Sequence, residues 1–220
     1  MNTQNIKAIF FDNDGVLVST ESTFFAANNH TLSQIFSHKN LEQTHDDFAY
    51  YCMGASGGSR RFLSDNNFSE TEIKKFREHR NQYFLEQMSQ KNTCKPNVLE
   101  TIKLLHKFFR LSVVTNSSSE HFYGVHESTQ LLPYFENITT RDDVVLAKPD
   151  PEPYLLALTK AQLESHEVIV IEDSPRGIAA AKAANIFTIG IKDPFNRTAD
   201  ISAADAELKD IKELIEFFKL

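Results

Sequence analysis

Residues 6–15 read Ile6-Lys7-Ala8-Ile9-Phe10-Phe11-Asp12-Asn13-Asp14-Gly15. An apolar run of strand length ends in two carboxylates one residue apart, and a turn-forming glycine follows at once. At the low-dielectric rim of a sheet two such acids repel each other. They persist there mainly when a cation or a chemical task compensates them, so a metal-dependent reaction is the first expectation. Asp-Asn-Asp-Gly is also ordinary turn punctuation, and it resembles the opening of a calcium loop. The calcium reading fails on spacing, because such a loop needs glycine at its sixth position and glutamate at its twelfth. Counted from Asp12, the glycine is fourth and the twelfth residue is Thr23.

Outward from this stretch, apolar runs of strand length recur at residues 111–115, 168–171 and 186–189. Helical periodicity covers 101–109, 154–163 and 178–184. Strands alternating with helices of about ten residues predict an α/β fold with a doubly wound parallel sheet, which binds ligands beyond the carboxyl ends of its strands. Residues 18–92 break the alternation and read as amphipathic helices over 22–36, 47–53 and 70–88, the last with Ile73, Phe76, Tyr83 and Phe84 on one stripe. The expected organisation is an α/β core of residues 1–17 and 93–220 with an inserted all-helical domain over 18–92. The chain would cross between the two near 15–19 and 91–96.

The 220 residues suffice for a sizeable core. A net charge of −7 argues against a nucleic-acid binder, which needs a basic face. Cys52 and Cys94 are too far apart for metal-ligand spacing and read as reduced thiols. The N-terminus lacks the basic and apolar regions of a signal peptide, and no apolar run is long enough to span a membrane. A soluble, cytoplasmic protein is expected. Eighteen Phe and no Trp read as core material rather than a binding platform.

Four polar clusters follow apolar runs and could share one edge of the sheet. Asp12 and Asp14 come first. Thr115-Asn116-Ser117 follows Val113-Val114 and opens a helix, with Ser117 and Glu120 spaced as a capping box; a helix N-terminus beside the Thr115 hydroxyl favours an anion, though both residues also fit plain structural roles. Lys148 follows Val144-Val145-Leu146 and is braced by Pro149-Asp150-Pro151, where Asp150 can cap the next helix; a solvated lysine beside a proline-rich turn is the simpler alternative. Glu172-Asp173 precedes Ser174-Pro175, a helix cap and first-turn proline. One acid could serve that helix, but two at a strand end again suggest a cation, and oxygen-only ligands favour Mg2+ over zinc.

The segments FFDNDGVL, VVTNS, AKPDPEPYLLAL and VIVIEDSPRGIAAAKAAN, in that order, resemble the motif series of the haloacid dehalogenase superfamily across nearly the whole chain. The helical insertion resembles the cap of its subgroup of β-phosphoglucomutases and small sugar-phosphate phosphatases. The resemblance implies Asp12 as nucleophile, Asp14 as general acid and base, and Thr115, the Asn116 backbone N–H and Lys148 around the phosphate. It implies Mg2+ on Asp12, the Asp14 carbonyl and Asp173, with Glu172 nearby.

In the cap this chain departs from its relatives. The mutases carry a histidine twelve residues after the nucleophile, where this chain has Phe24. Their Gly-x-x-Arg could be matched by Gly57 with Arg60, or by Gly58 with Arg61, in a stretch that also reads as a flexible loop beside two solvated arginines. The missing histidine weighs toward a phosphatase acting on a small phosphorylated metabolite, a sugar phosphate being expected. A mutase and a catalytically idle binding protein are the alternatives. A capped enzyme of this size can close over its site as a monomer.

Overall fold

Successive side chains of β1 (Ala8–Phe11) point into two different apolar layers. In the computed structural model, which describes residues 5–53, 58–89, 91–193, 195 and 199–220, Ile9 and Phe11 pack on one side of the strand, while Ala8 and Phe10 pack on the other. This is the period-two pattern of a strand buried on both faces. Five more strands among the described residues complete a parallel sheet: β2 (Arg110–Val114), β3 (Asn137–Thr139), β4 (Val168–Glu172), β5 (Phe187–Ile191) and β6 (Ala206–Leu208). Their order is β3-β2-β1-β4-β5-β6.

Helices cover both faces. α5 (Val98–Leu105), α6 (Ser119–His126) and α9 (Glu213–Phe218) pack on the Phe11 side, and α7 (Glu152–Ala161) and α8 (Pro175–Ala183) on the Phe10 side. The chain winds from β1 to β2 and β3, then crosses to β4 and continues the other way. The switch point therefore flanks β1, where such sheets form their ligand crevice.

Between β1 and α5 the described residues form α1 (Glu21–Ile35), α2 (His45–Phe48), α3 (Gly58–Asp65) and α4 (Glu70–Met88). α1 packs on α4, and Leu32, Phe36, Phe62, Leu63, Phe68, Ile73 and Phe76 give the insert its own core. The two crossings lie side by side. Ser19 N–H donates to Thr93 O at 2.9 Å and Lys95 N–H to Leu17 O at 3.1 Å. The Lys95 ammonium donates to the Gly15 carbonyl and, at 2.6 Å, to Asp193 Oδ2.

Several local expectations change. β3 and β6 are three-residue edge strands, too short and too polar to show periodicity. The run 144–146 is no strand: Val145 and Leu146 are exposed, and the Glu152 carboxylate accepts their backbone N–H groups at 2.8 and 2.7 Å. The helix expected over 47–53 starts at His45, capped by Thr44, and relaxes into a π turn over Ala49–Met53. No helix among the described residues is long and apolar enough to cross a membrane.

Candidate active site

Strand register assembles the site. Phe11 pairs with Val113 on one side and Ile171 on the other, so Asp12 emerges level with Val114 and Glu172. Lys148 reaches this point from outside the sheet. The Asn116 side chain clamps its backbone, Nδ2 donating to Lys148 O and Oδ1 accepting from Lys148 N–H, both at 3.1 Å. Its buried ammonium then donates to Asp12 Oδ1 at 2.9 Å, Glu172 Oε1 at 2.6 Å and Val114 O at 2.7 Å. Burial disfavours the charge on Lys148, but Asp12 and Glu172 outweigh that and hold its pKa above the ordinary lysine value.

Glu172, which ends β4, and Asp173, which follows it, have different environments. Every Glu172 oxygen is engaged: Oε1 also accepts from the Tyr154 hydroxyl at 2.8 Å, and Oε2 from the Ser174 hydroxyl at 3.0 Å and the Asp173 N–H at 3.2 Å. A Cβ on Gly177 would overlap this carboxylate at 1.8 Å, so glycine is what lets α8 approach. Glu172 thus buttresses Lys148, a role not read from sequence. Asp173, by contrast, is buried with Oδ2 unpartnered. Gly15, at φ +81°, is cut to fit it, since a Cβ there would stand 2.1 Å from Asp173 Oδ2.

Asp12, Glu172 and Asp173 bring carboxylate oxygens within 4.8 Å of one another. Burial and the neighbouring Glu172 push Asp12 up to about 7, against the pull of Lys148. Burial, then the repulsion of Asp12 and Glu21, raises Asp173 well above the carboxylate range. An orphaned buried oxygen amid uncompensated negative charge is what a hard cation with oxygen ligands requires. The donor set fits Mg2+.

Asp14 is held by two hydroxyls. It accepts from the Thr20 hydroxyl and, at 2.8 Å, from the Ser117 hydroxyl. Ser117 therefore does not cap α6. Ser118 does, accepting from His121 N–H at 3.4 Å, while Ser117 N–H donates to Thr115 Oγ1 at 3.0 Å. Asn13 turns the other way, its Oδ1 2.7 Å from His126 Nε2 beneath the turn. Glu21, buried at the start of α1, is pushed up to about 8 by burial and by Asp14 and Asp193; its Oε1 has no partner.

A cleft of about 600 Å³ opens over these groups, walled on the insert side by Phe24, Arg77, Arg80 and Phe84. The arginines singled out in sequence do not supply a free cation here. Arg60 lies at the cleft edge, exposed, with NH2 donating to both Glu70 oxygens at 3.0 Å. Arg61 lies 3.6 Å from Asp65 in an exposed pair and does not line the cleft. Gly57 lies outside the described residues. Phe24 does face the cleft, with Arg80 over its ring at 4.3 Å. Arg80 carried a detectable signal, for it occupies the buried register of α4 between Phe76 and Phe84 where a charge is out of place.

The chain matches a haloacid dehalogenase-like hydrolase family over residues 9–191. It is 30% identical to pyrophosphatase PpaX of Bacillus pumilus over 192 residues, 87% of this chain and 85% of the relative. To phosphoglycolate phosphatase of Vibrio parahaemolyticus it is 28% identical over 225 residues, covering 98% and 97%. The crystal structure of CbbY from Rhodobacter sphaeroides in complex with phosphate superposes with a TM-score of 0.84 over 98% of this chain and 100% of that one, at 24% identity, a likeness of fold. With a matching family model over most of its length and the site assembled at the switch point of the family's sheet, the chain belongs to the haloacid dehalogenase-like hydrolases.

Proposed function

We propose that the protein is a Mg2+-dependent phosphatase that hydrolyses a small phosphorylated metabolite through an aspartyl phosphate on Asp12, with residues 1–17 and 93–220 as its catalytic core and 18–92 as its cap. The observation that carries this reading is the pairing of a buried Lys148–Asp12 contact with an orphaned Asp173 oxygen beside it. Asp12, the Asp14 carbonyl and Asp173 would hold the cation, which when bound offsets the negative charge of carboxylate and phosphate. The phosphatase names of the relatives support the reaction class.

The remaining steps rest on the chain's own groups. Asp12 attacks phosphorus while Lys148, Thr115 and the Asn116 N–H bind phosphoryl oxygens. Asp14, steered by Thr20 and Ser117, gives its proton to the leaving oxygen. It then takes a proton from the water that attacks phosphorus of the aspartyl phosphate; the bond between phosphorus and the Asp12 oxygen breaks, inorganic phosphate leaves, Asp12 is a carboxylate again and Asp14 again carries its proton. Water is the acceptor in this reading because Phe24 stands where the mutases carry a histidine, and the arginines of the Gly-x-x-Arg pattern are paired with Glu70 and Asp65.

The test is phosphate release from a panel of sugar phosphates, phosphoglycolate, nucleotides and pyrophosphate, with Mg2+ and with chelator, while glucose 6-phosphate formation from β-glucose 1-phosphate is followed in parallel. Metal-dependent release from a few compounds is expected. Isomerisation without release would establish a mutase instead, and binding without either reaction an idle scaffold.

A further inference from the structure

Arg80 is only 5% exposed, yet its acceptors among the described residues are all neutral: Asn81 Oδ1 at 2.8 Å, Ser59 Oγ at 3.3 Å and Asn28 Oδ1 at 3.4 Å. Burial drops its pKa to about 10. A buried cation without a counter-charge is costly, and here the cost is borne on the wall of the substrate cleft. Phe24 offsets part of it through its ring face, but a ring is a weak substitute for an anion.

A second group points to the same place. His121, on α6 of the sheet domain, is 8% exposed, lines the cleft and leaves Nε2 buried without a partner. Its ring lies edge-on to Phe24, centroids 6.3 Å apart, and 5.1 Å from Phe84. Phe24 is thus flanked by a guanidinium from the cap and an imidazole from the core. Arg77 and Arg176 line the same cleft. Neither Arg80 nor His121 has a part in the phosphoryl chemistry, whose anion is already met by Lys148, Thr115 and Asn116.

We propose that Arg80 and His121, gathered around Phe24, form a second anion subsite, so that the substrate is a phosphomonoester carrying a further carboxylate or phosphate rather than a neutral sugar monophosphate. This rests on the phosphatase reading and narrows it. Because one partner rides on α4 and the other on α6, an anion held by both also fastens the cap to the core.

The decisive experiment is calorimetric binding to the Asp12→Asn protein in the presence of Mg2+, using two matched pairs. Phosphoglycolate is set against 2-hydroxyethyl phosphate, and glucose 1,6-bisphosphate against glucose 1-phosphate; the first pair reports a carboxylate, the second a phosphate. The doubly anionic member of at least one pair is expected to bind about 10- to 100-fold tighter, the range for hydrogen bonds to charged groups. Arg80→Met and His121→Asn should each shrink that preference, with Arg80→Lys retaining part of it. The His121 ring, followed by NMR, should protonate at higher pH with the doubly anionic ligand than with inorganic phosphate. Equal affinities within both pairs would overturn the subsite, and so would a preference unchanged in both variants. Binding is read without turnover, so a retained preference in a protein that hydrolyses no monoester would overturn the phosphatase reading alone.

Discussion

On the sheet side of the cleft a buried ammonium, Lys148, lies between two carboxylates, whereas on the insert side a buried guanidinium, Arg80, lies among amides, a hydroxyl and a phenyl ring. In the first arrangement the ammonium has its counter-charges, and a cation is lacking only at Asp173. The second is incomplete until an anion arrives. Machinery that must act on any phosphate can be finished by the chain itself, while recognition of one particular molecule has to be left open for it. The two walls therefore predict opposite responses to the removal of a charge.

The largest effect is expected on the sheet side. If Asp12 is the nucleophile as proposed, Asp12→Asn replaces the attacking carboxylate with an amide that keeps an acceptor for Lys148, so turnover should fall by at least about 10⁴-fold while the fold persists. Steady-state phosphate release together with circular dichroism checks both halves. Release at a rate near wild type would mean that another group attacks phosphorus.

Next comes the stability of the same wall. Lys148→Met leaves Asp12 and Glu172 facing each other without their shared cation, and breaking a buried pair in this way costs about 3–5 kcal/mol. Urea unfolding at neutral pH should show that loss. Mg2+ should restore part of it, because the cation substitutes for some of the missing charge. A midpoint unchanged from wild type would mean that the Asp12–Lys148–Glu172 contact contributes nothing to the fold.

How legible each wall was in the sequence follows from the same contrast. Asp12, Thr115, Glu172 and Asp173 stand at the ends of buried strands, where an apolar run stopping at a polar residue marks the position. The series resembles a family, and the α/β class and the helical nature of the insert were readable from it. Lys148 was named as a lysine braced by a proline-rich turn after an apolar run; Val145 and Leu146 of that run are exposed and held by Glu152, and the Lys148 backbone is held by the Asn116 clamp. Such a clamp is a long-range contact and has no local signature. The short edge strands β3 and β6 lacked periodicity for the same reason that they are short. On the insert side, glycine spacing drew attention to Arg60 and Arg61, which the fold pairs at the surface. Arg80 and His121 become visible only when helix register is combined with the question of which buried polar atoms lack partners, and the second half of that question needs three dimensions.

A smaller effect concerns pH. Burial lowers His126 to about 4, opposed by Asp14, the charged group that acts on it. It is neutral in the folded protein, with Nδ1 2.8 Å from Thr129 Oγ1 and Nε2 on Asn13. The unfolded chain takes up this proton near 6.5 and the folded one only near 4. The contribution is intact above about pH 6.5 and is lost as pH falls toward 4, by roughly 3 kcal/mol at most. Unfolding at pH 7.5 and 4.5, wild type against His126→Asn, isolates it: the variant should lose less stability on acidification. An equal loss in both proteins would remove His126 as the support of the Asn13 turn.

The smallest expected change in stability is also the one that separates the walls most cleanly. Arg80→Met takes a cation from a site as buried as that of Lys148, and a methionine can lie in the same α4 register between Phe76 and Phe84. The groups it abandons, the Asn81 and Asn28 amides and the Ser59 hydroxyl, are neutral, so each loses one ordinary hydrogen bond, about 1 kcal/mol. Against that stands relief from an unpaired buried charge, further crowded by Arg77, which is of at least similar size. The midpoint of unfolding should stay within about 1 kcal/mol of wild type or rise. A loss on the scale of Lys148→Met would mean that Arg80 already has its counter-charge within the fold, and both walls would then be equally complete. A neutral or stabilising result would locate the missing partner outside the protein, in the molecule that enters the cleft.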